Sequence, residues 1–343
     1  MSIRNKIQSS ILNRLLSMVN EQSQPNLNAL NDIVKEVRVL ELNMKAFGYD
    51  LARKMAAALP PTVDRGPQVI GLQSKGCTQS DMESDWVAHW AHAIGTPMIY
   101  HRKLWEFAYV LQALFEGGHL QPGQRGLGFG CGAEPIPSYL AAQGVGVTAT
   151  DFSQEEAIES GWVDTNQHLG SAAVPFIPHL VTKEVFERFV EIDTVDMNAI
   201  PDRLKGFDFC WSICALEHLG SIERGLAFIE RSLDTLRPGG TAVHTLEFNV
   251  EADGPTVDNW VTVLFQQRHL EAMAARLDRA GHRVAPLDFS TGAGVLDGFI
   301  DMPPWHDART QGGAAGLGEP SHLKLSIDGF VCTSFGIVVR KGA

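Results

Sequence analysis

The feature that most constrains the fold is the stretch over residues 123–151, GQRGLGFGCGAEPIPSYLAAQGVGVTATD. A short apolar run enters a glycine-rich turn, Pro137 opens a short helix that Gly144 stops, and a second apolar run ends on Asp151. Proline suits the first helical turn because its missing N–H would be unpaired there, and glycine ends a helix because it enters left-handed backbone freely. The order is that of a β-α-β unit. Its two strands must be parallel, with the helix covering one face of the sheet.

The pattern continues. A helix is expected over 154–167, strands over 190–195 and 207–213, and a helix over 222–236 closed by Arg237-Pro238-Gly239-Gly240. A strand over 241–246, a helix over 259–280 and a strand over 283–289 follow. Segments 322–327 and 330–340 flank Asp328-Gly329, a hairpin signal that ends the sheet with an antiparallel strand. This alternation predicts an α/β fold: an open, doubly wound, mostly parallel, Rossmann-like sheet of about seven strands.

Residues 1–60 read as a helical region preceding the sheet. Ile3, Ile7, Ile11, Leu15 and Met18 recur at helical spacing, and after Pro25 the series Leu30, Ile33, Val37, Leu40, Met44, Phe47, Leu51 steps by three and four. Such a seam serves either a coiled coil that makes a homodimer or a helix lying on its own domain. Residues 61–120 read as a linker to about Asp81 and then a helical cap, whose Trp86, Trp90, Leu104, Trp105, Phe107, Ala108, Leu111 and Leu114 are expected in the core. Residues 121–343 form the main domain, with a glycine-rich insertion at 290–321 that is either functional or disordered.

Charge narrows the partners. Lys and Arg number 28 against 40 Asp and Glu, a net charge of −12, so no nucleic acid is expected: a phosphate backbone calls for a basic face. Five cysteines without a CxxC pair read as reduced thiols of a cytoplasmic protein. No apolar run reaches the roughly 18 to 20 residues of a membrane span, and Arg4, Lys6 and Arg14 interrupt the start where a signal peptide would be continuously apolar.

The turn Gly128-Phe129-Gly130-Cys131-Gly132 lets backbone approach a ligand closely, and Asp151 at the next strand tip is placed to bond the two hydroxyls of a ribose. A dinucleotide fold prefers GxGxxG; here the position three after Gly130 is Ala133. With these motifs, Asp196-Met197-Asn198, FDFCWSICALEHL over 207–219 and LRPGGTAVHT over 236–245, the chain resembles class I S-adenosylmethionine-dependent methyltransferases over about 121–289 and the final hairpin. GLGFG with EP, ALEHLGSI, HTLEFN and HLKL with GFVCTSFGIVVRK further resemble bacterial members associated with surface polysaccharide assembly.

The resemblance implies S-adenosyl-L-methionine as cofactor, held by Gly128, Gly130, Gly132, Glu134, Asp151, Phe152, Asp196, Met197 and Ser212. One departure matters. Where the family has an acid before the turn this chain has Gly128, and Glu134 is the expected replacement beside the methionyl ammonium. A bound sulfonium needs an aligned nucleophile and a proton acceptor, and His218 and Glu247, past the fourth and fifth strands, are the catalytic candidates. Asp301, His306 and His322 flank the long insertion; no acidic pair stands at ligand spacing, so no metal is expected. The expected activity is O-methylation of a small molecule or a glycan. The alternatives are a cyclase or lyase that consumes the cofactor without an acceptor, and an inactive cofactor-binding scaffold.

Overall fold

The computed structural model describes residues 27–60, 66–132, 134–152, 175–303 and 323–343. The expected helices at 1–19 and 154–167, and His306 and His322, lie outside them.

Helix α1 (Leu27–Ala58) covers the predicted seam, but turns it outward. Val37, Leu40, Met44, Phe47 and Leu51 are exposed, while Lys45, Tyr49 and Ala52 are buried. The docking contacts include polar ones: Tyr49 Oη donates to Asp301 Oδ1 (2.8 Å), and Lys45 Nζ stands 3.6 Å from the same carboxylate. Gly48 is packed by the Phe299 ring. Period alone did not distinguish the two faces, because Lys45 reads as a surface residue until its partner is known. Asp301 is thus used in holding α1.

The region read as a linker contains a strand. Strand β1 (Ser74–Gly76) carries no alternation of its own and forms by pairing. Helices α2 (Gln79–Met82), α3 (Asp85–Ala93) and α4 (Arg102–Glu116) follow, with Thr78, Ser84 and His101 as their N-caps. The cap aromatics are core as expected: Trp90 Nε1 donates to Gln112 Oε1 (2.7 Å) and Trp105 Nε1 to Asp81 Oδ2 (3.0 Å), which pairs each buried indole N–H.

The sheet is built on β2 (Arg125–Phe129), β3 (Gly146–Asp151), β4 (Val190–Thr194), β5 (Phe207–Ile213) and β6 (Leu236–Asn249), all parallel, in the order β4-β3-β2-β5-β6. Helices α5 (Ile136–Ala142), α6 (Lys183–Phe189), α7 (Ile222–Ser232) and α8 (Gln267–Arg279) complete the alternation. Chain order reverses between β2 and β5, the switch point where open α/β sheets bind ligands at the carboxyl ends of their strands.

Among the described residues the sheet has eleven strands rather than about seven. The expected strand 283–289 splits into β7 (Arg283–Val284) and β8 (Leu287–Asp288) around Pro286, which has no N–H to donate. Short strand β9 (Ile300–Asp301) and the hairpin β10 (Lys324–Ile327) to β11 (Phe330–Arg340) supply the rest. Asp328 and Gly329 both have positive φ (50° and 86°), as a two-residue hairpin turn requires. Strand β11 does not end the sheet but runs antiparallel between β6 and β1. Helix α8 begins eight residues later than expected because Phe265 is tied to β6, its N–H donating to the Glu247 carbonyl (3.0 Å).

Apolar clusters lie on both faces. Trp90, Trp105, Leu111 and Trp211 belong to one; Phe129, Cys210, Phe228 and Leu270 belong to the other.

Candidate active site

Two adjoining centres form at the carboxyl ends of β2, β3, β5 and β6. The first is the glycine turn. Gly130 has φ +63°, and a Cβ there would press on Ala215 Cβ at 2.9 Å. Gly132 N–H donates to Asp151 Oδ2 (3.1 Å), and Asp151 Oδ1 accepts the N–H of Phe152 (2.8 Å). The carboxylate thus closes the tips of β2 and β3 on each other. Apart from Gly132 and its chain neighbours, no atom of the described residues lies within 4 Å of where a Gly132 Cβ would be.

Gly128 leaves no room for the acid that the resemblance would put there. A Cβ there would overlap Cys131 Sγ and the Trp211 ring, so the indole fills the place of a side chain. Trp211 Nε1 donates to Glu134 Oε1 (2.5 Å), fixing a buried carboxyl beside the turn. Burial pushes Glu134 up to about 8, against the lowering effect of the Trp211 bond.

Asp196 and Met197 follow β4. Asp196 Oδ1 accepts the Asn198 N–H (2.7 Å) and lines, with Asn198, Glu223, Arg224, Ala227 and Arg231, an open groove of about 430 Å³. Met197 is buried, its sulfur 3.7 Å from where a Gly130 Cβ would lie. The Ser212 side chain turns away from the glycine turn. Its hydroxyl is fully buried between strand and helix, 2.8 Å from His244 Nδ1, while His244 Nε2 lies 3.0 Å from Ser232 Oγ. Alternation along β5 sends the Ser212 side chain to the face opposite Trp211, which leaves its backbone for the expected cofactor contact. Burial lowers His244 to about 3, which keeps this Ser-His-Ser link neutral.

The second centre lies past β5 and β6. His218 Nδ1 donates to the Val261 carbonyl (3.0 Å), which makes Nε2 the lone-pair nitrogen of the neutral ring. Burial lowers this imidazole to about 4, opposed by the Val261 bond. Glu247 is buried and ion-paired with Arg102. Burial raises its carboxyl and Arg102 opposes the shift.

Sequence reasoning missed most of this centre. Arg102, Lys103 and Glu106 reach it from α4: Lys103 Nζ is 2.6 Å from Glu106 Oε2, and Arg102 Nη1 is 3.6 Å from Glu106 Oε1 and 3.1 Å from Ser334 Oγ. Burial pushes Glu106 up, but Lys103 and Arg102 outweigh it and hold the carboxylate at about 2. Cys214, with φ +45°, donates its thiol to Glu106 Oε1 (3.0 Å). Glu217 is fully buried, and neither of its carboxyl oxygens has a hydrogen-bond partner among the described residues. Burial, then the charge of Glu247, raises it. A usable signal existed: Arg102 and Glu106 sit at i and i+4 among Leu104, Trp105, Ala108 and Tyr109, a charged pair inside an apolar helix face.

All five cysteines are free thiols, and no helix among the described residues is long and apolar enough to cross a membrane.

No protein-family profile matches the sequence, and no curated protein matches it. Among solved structures, a proposed sarcosine dimethylglycine methyltransferase from Galdieria sulphuraria is 14% identical, covering 76% of this chain and 99% of that one with a TM-score of 0.43. An S-adenosylmethionine-dependent methyltransferase from Clostridium acetobutylicum is 9% identical (75% and 98% covered, TM-score 0.37), and DhpI in its SAH complex 15% (75% and 93%, TM-score 0.37).

Proposed function

We propose that the chain is an S-adenosylmethionine-dependent methyltransferase acting on an oxygen of a small molecule or glycan. The observation that carries the reading is the junction of the glycine turn with Asp151: adjacent parallel strand tips, no described atom near a Gly132 side-chain position, and a carboxylate that bonds the Gly132 N–H. On this reading Asp151 takes the ribose hydroxyls, Asp196 and Met197 the adenine side, and Glu134 the methionyl ammonium.

The cofactor supplies an activated methyl group. When bound, it would give that methyl group to an acceptor oxygen aligned behind it and would leave as S-adenosylhomocysteine. The acceptor proton passes to His218 Nε2, which the Val261 carbonyl leaves as the accepting nitrogen. Glu247, anchored by Arg102, positions the acceptor. The exposed row Val37, Leu40, Met44 and Phe47 on α1 is assigned to pairing with a second copy of the chain.

Calorimetric titration with S-adenosylmethionine tests the cofactor. Asp151→Ala leaves the ribose hydroxyls unpartnered and weakens binding by about ten- to a hundredfold, roughly 1.5 to 3 kcal/mol. Equal affinity in parent and variant removes Asp151 from the cofactor site.

A further inference from the structure

We propose that Cys214, Glu217 and Glu247 form a binding site for a zinc-class divalent cation. One donor atom from each lies within 4.8 Å of the others. The sequence concealed this set because Glu247 stands thirty positions from Glu217 and reaches it only through the pairing of β5 with β6. An acidic cluster alone is common, but Glu217 is distinctive. It is fully buried, lies within that cluster, and has neither carboxyl oxygen hydrogen-bonded among the described residues. A buried carboxylate without partners is costly unless a cation or a set of donors meets it.

Local charge points the same way. Arg102 and Lys103 supply two cations against the three carboxylates Glu106, Glu217 and Glu247. Arg102 engages Glu247 Oε1 and leaves Oε2 without a hydrogen-bond partner. Lys103 and Arg102 are shared with Glu106. Arg102 and Lys103 match Glu247 and Glu106, so exchange of the Glu217 and Cys214 protons for a metal adds two negative charges that no cation of the cluster meets. A divalent cation neutralises the cluster.

The donor set selects the ion. Thiolate sulfur disfavours Mg²⁺ and Ca²⁺, whereas one sulfur and two carboxylate oxygens suit Zn²⁺ and related transition metals. Bonds of about 2.3 Å to sulfur and 2.1 Å to oxygen put tetrahedral donors about 3.5 Å apart, so side-chain shifts of about 1 Å close the site. Three protein ligands leave a fourth position open, the arrangement of catalytic rather than structural zinc. Cys214 is partly exposed and provides the approach. On the methyl-transfer reading, that open position takes the acceptor oxygen and lowers its pKa; cation binding itself does not depend on that reading.

The test is titration of the full chain, stripped of metal, with Co²⁺ as a spectroscopic stand-in and Zn²⁺ as competitor. The expected result is one Co²⁺ per chain, a sulfur-to-cobalt charge-transfer band, displacement by Zn²⁺, and a melting temperature raised by either ion. Glu217→Gln and Cys214→Ser should each weaken binding by more than about 100-fold, since loss of outer-shell partners alone costs 10- to 100-fold. Circular dichroism of each variant verifies its fold. Absence of the band in the parent overturns the site without recourse to any variant. A band kept at parental affinity in Glu217→Gln overturns it too. S-adenosylmethionine titration of the same samples reads the cofactor assignment separately, so the two can fail independently.

Discussion

Glu134→Gln tests the reassignment of the methionyl carboxylate. With its carboxyl raised from the ordinary 4.5 to about 8, Glu134 is protonated at neutral pH in the free protein. A bound ammonium favours the carboxylate, so cofactor binding near pH 7 should release about 0.9 of a proton. Only the ionised fraction binds at full strength, and affinity should rise about tenfold per pH unit between about pH 5.5 and 7. Calorimetry in buffers of different protonation enthalpy reads the proton directly. Glutamine preserves an acceptor for the Trp211 N–H and cannot titrate, so the variant should release no proton and lose the slope. The same shift has a stability consequence. A folded-state value above the unfolded one means that the neutral carboxyl stabilises below about pH 4.5, and this contribution is lost as pH rises through about 8. The difference is on the order of 5 kcal/mol across that window, absent in Glu134→Gln. Parent binding without proton release, at an affinity flat with pH, would refute the assignment of Glu134 to the ammonium.

Three further outcomes are expected. His218→Gln should bind S-adenosylmethionine at parental affinity but transfer methyl about 10²- to 10⁴-fold more slowly on an active acceptor, measured by single-turnover product formation. Gly128→Asp, which restores the family's acid, should lower the melting temperature through a loss of about 1–3 kcal/mol, because its Cβ meets Trp211 and Cys131; an unchanged melting temperature would mean that the indole moves aside. Val37→Asp should dissociate a parent dimer in sedimentation velocity without altering the circular dichroism spectrum, and an undisturbed dimer would exclude the α1 row as its interface.

What the sequence revealed follows from which interactions are local. The turn at 128–132, the strand ending on Asp151 and the Asp328-Gly329 hairpin are written in adjacent residues, because backbone conformation there depends on glycine and proline themselves. Strand β1 was invisible because pairing with β11 and β8, rather than its own pattern, makes it a strand. The direction of the Ser212 side chain was hidden for a similar reason: the strand was legible, but which face each residue takes depended on Trp211 filling the space over Gly128. The second centre was hardest to foresee. Its side chains come from α4, the end of β5, β6 and β11, and their juxtaposition is a property of sheet order. The α1 seam was located correctly as helix yet faces outward, because the face carrying Lys45, Tyr49 and Ala52 docks on Asp301, Phe299 and the core.

The central claim is that the end of β2 and β3 carries a methyl donor used on an external acceptor. Incubation with methyl-labelled S-adenosylmethionine and a panel of hydroxylated small molecules and sugars, followed by mass analysis, tests it most directly. S-adenosylhomocysteine formed only with an acceptor, in equal amount to a product heavier by one labelled methyl group, is the expected result. Cofactor breakdown at the same rate without any acceptor, or no cofactor binding at all, would contradict it.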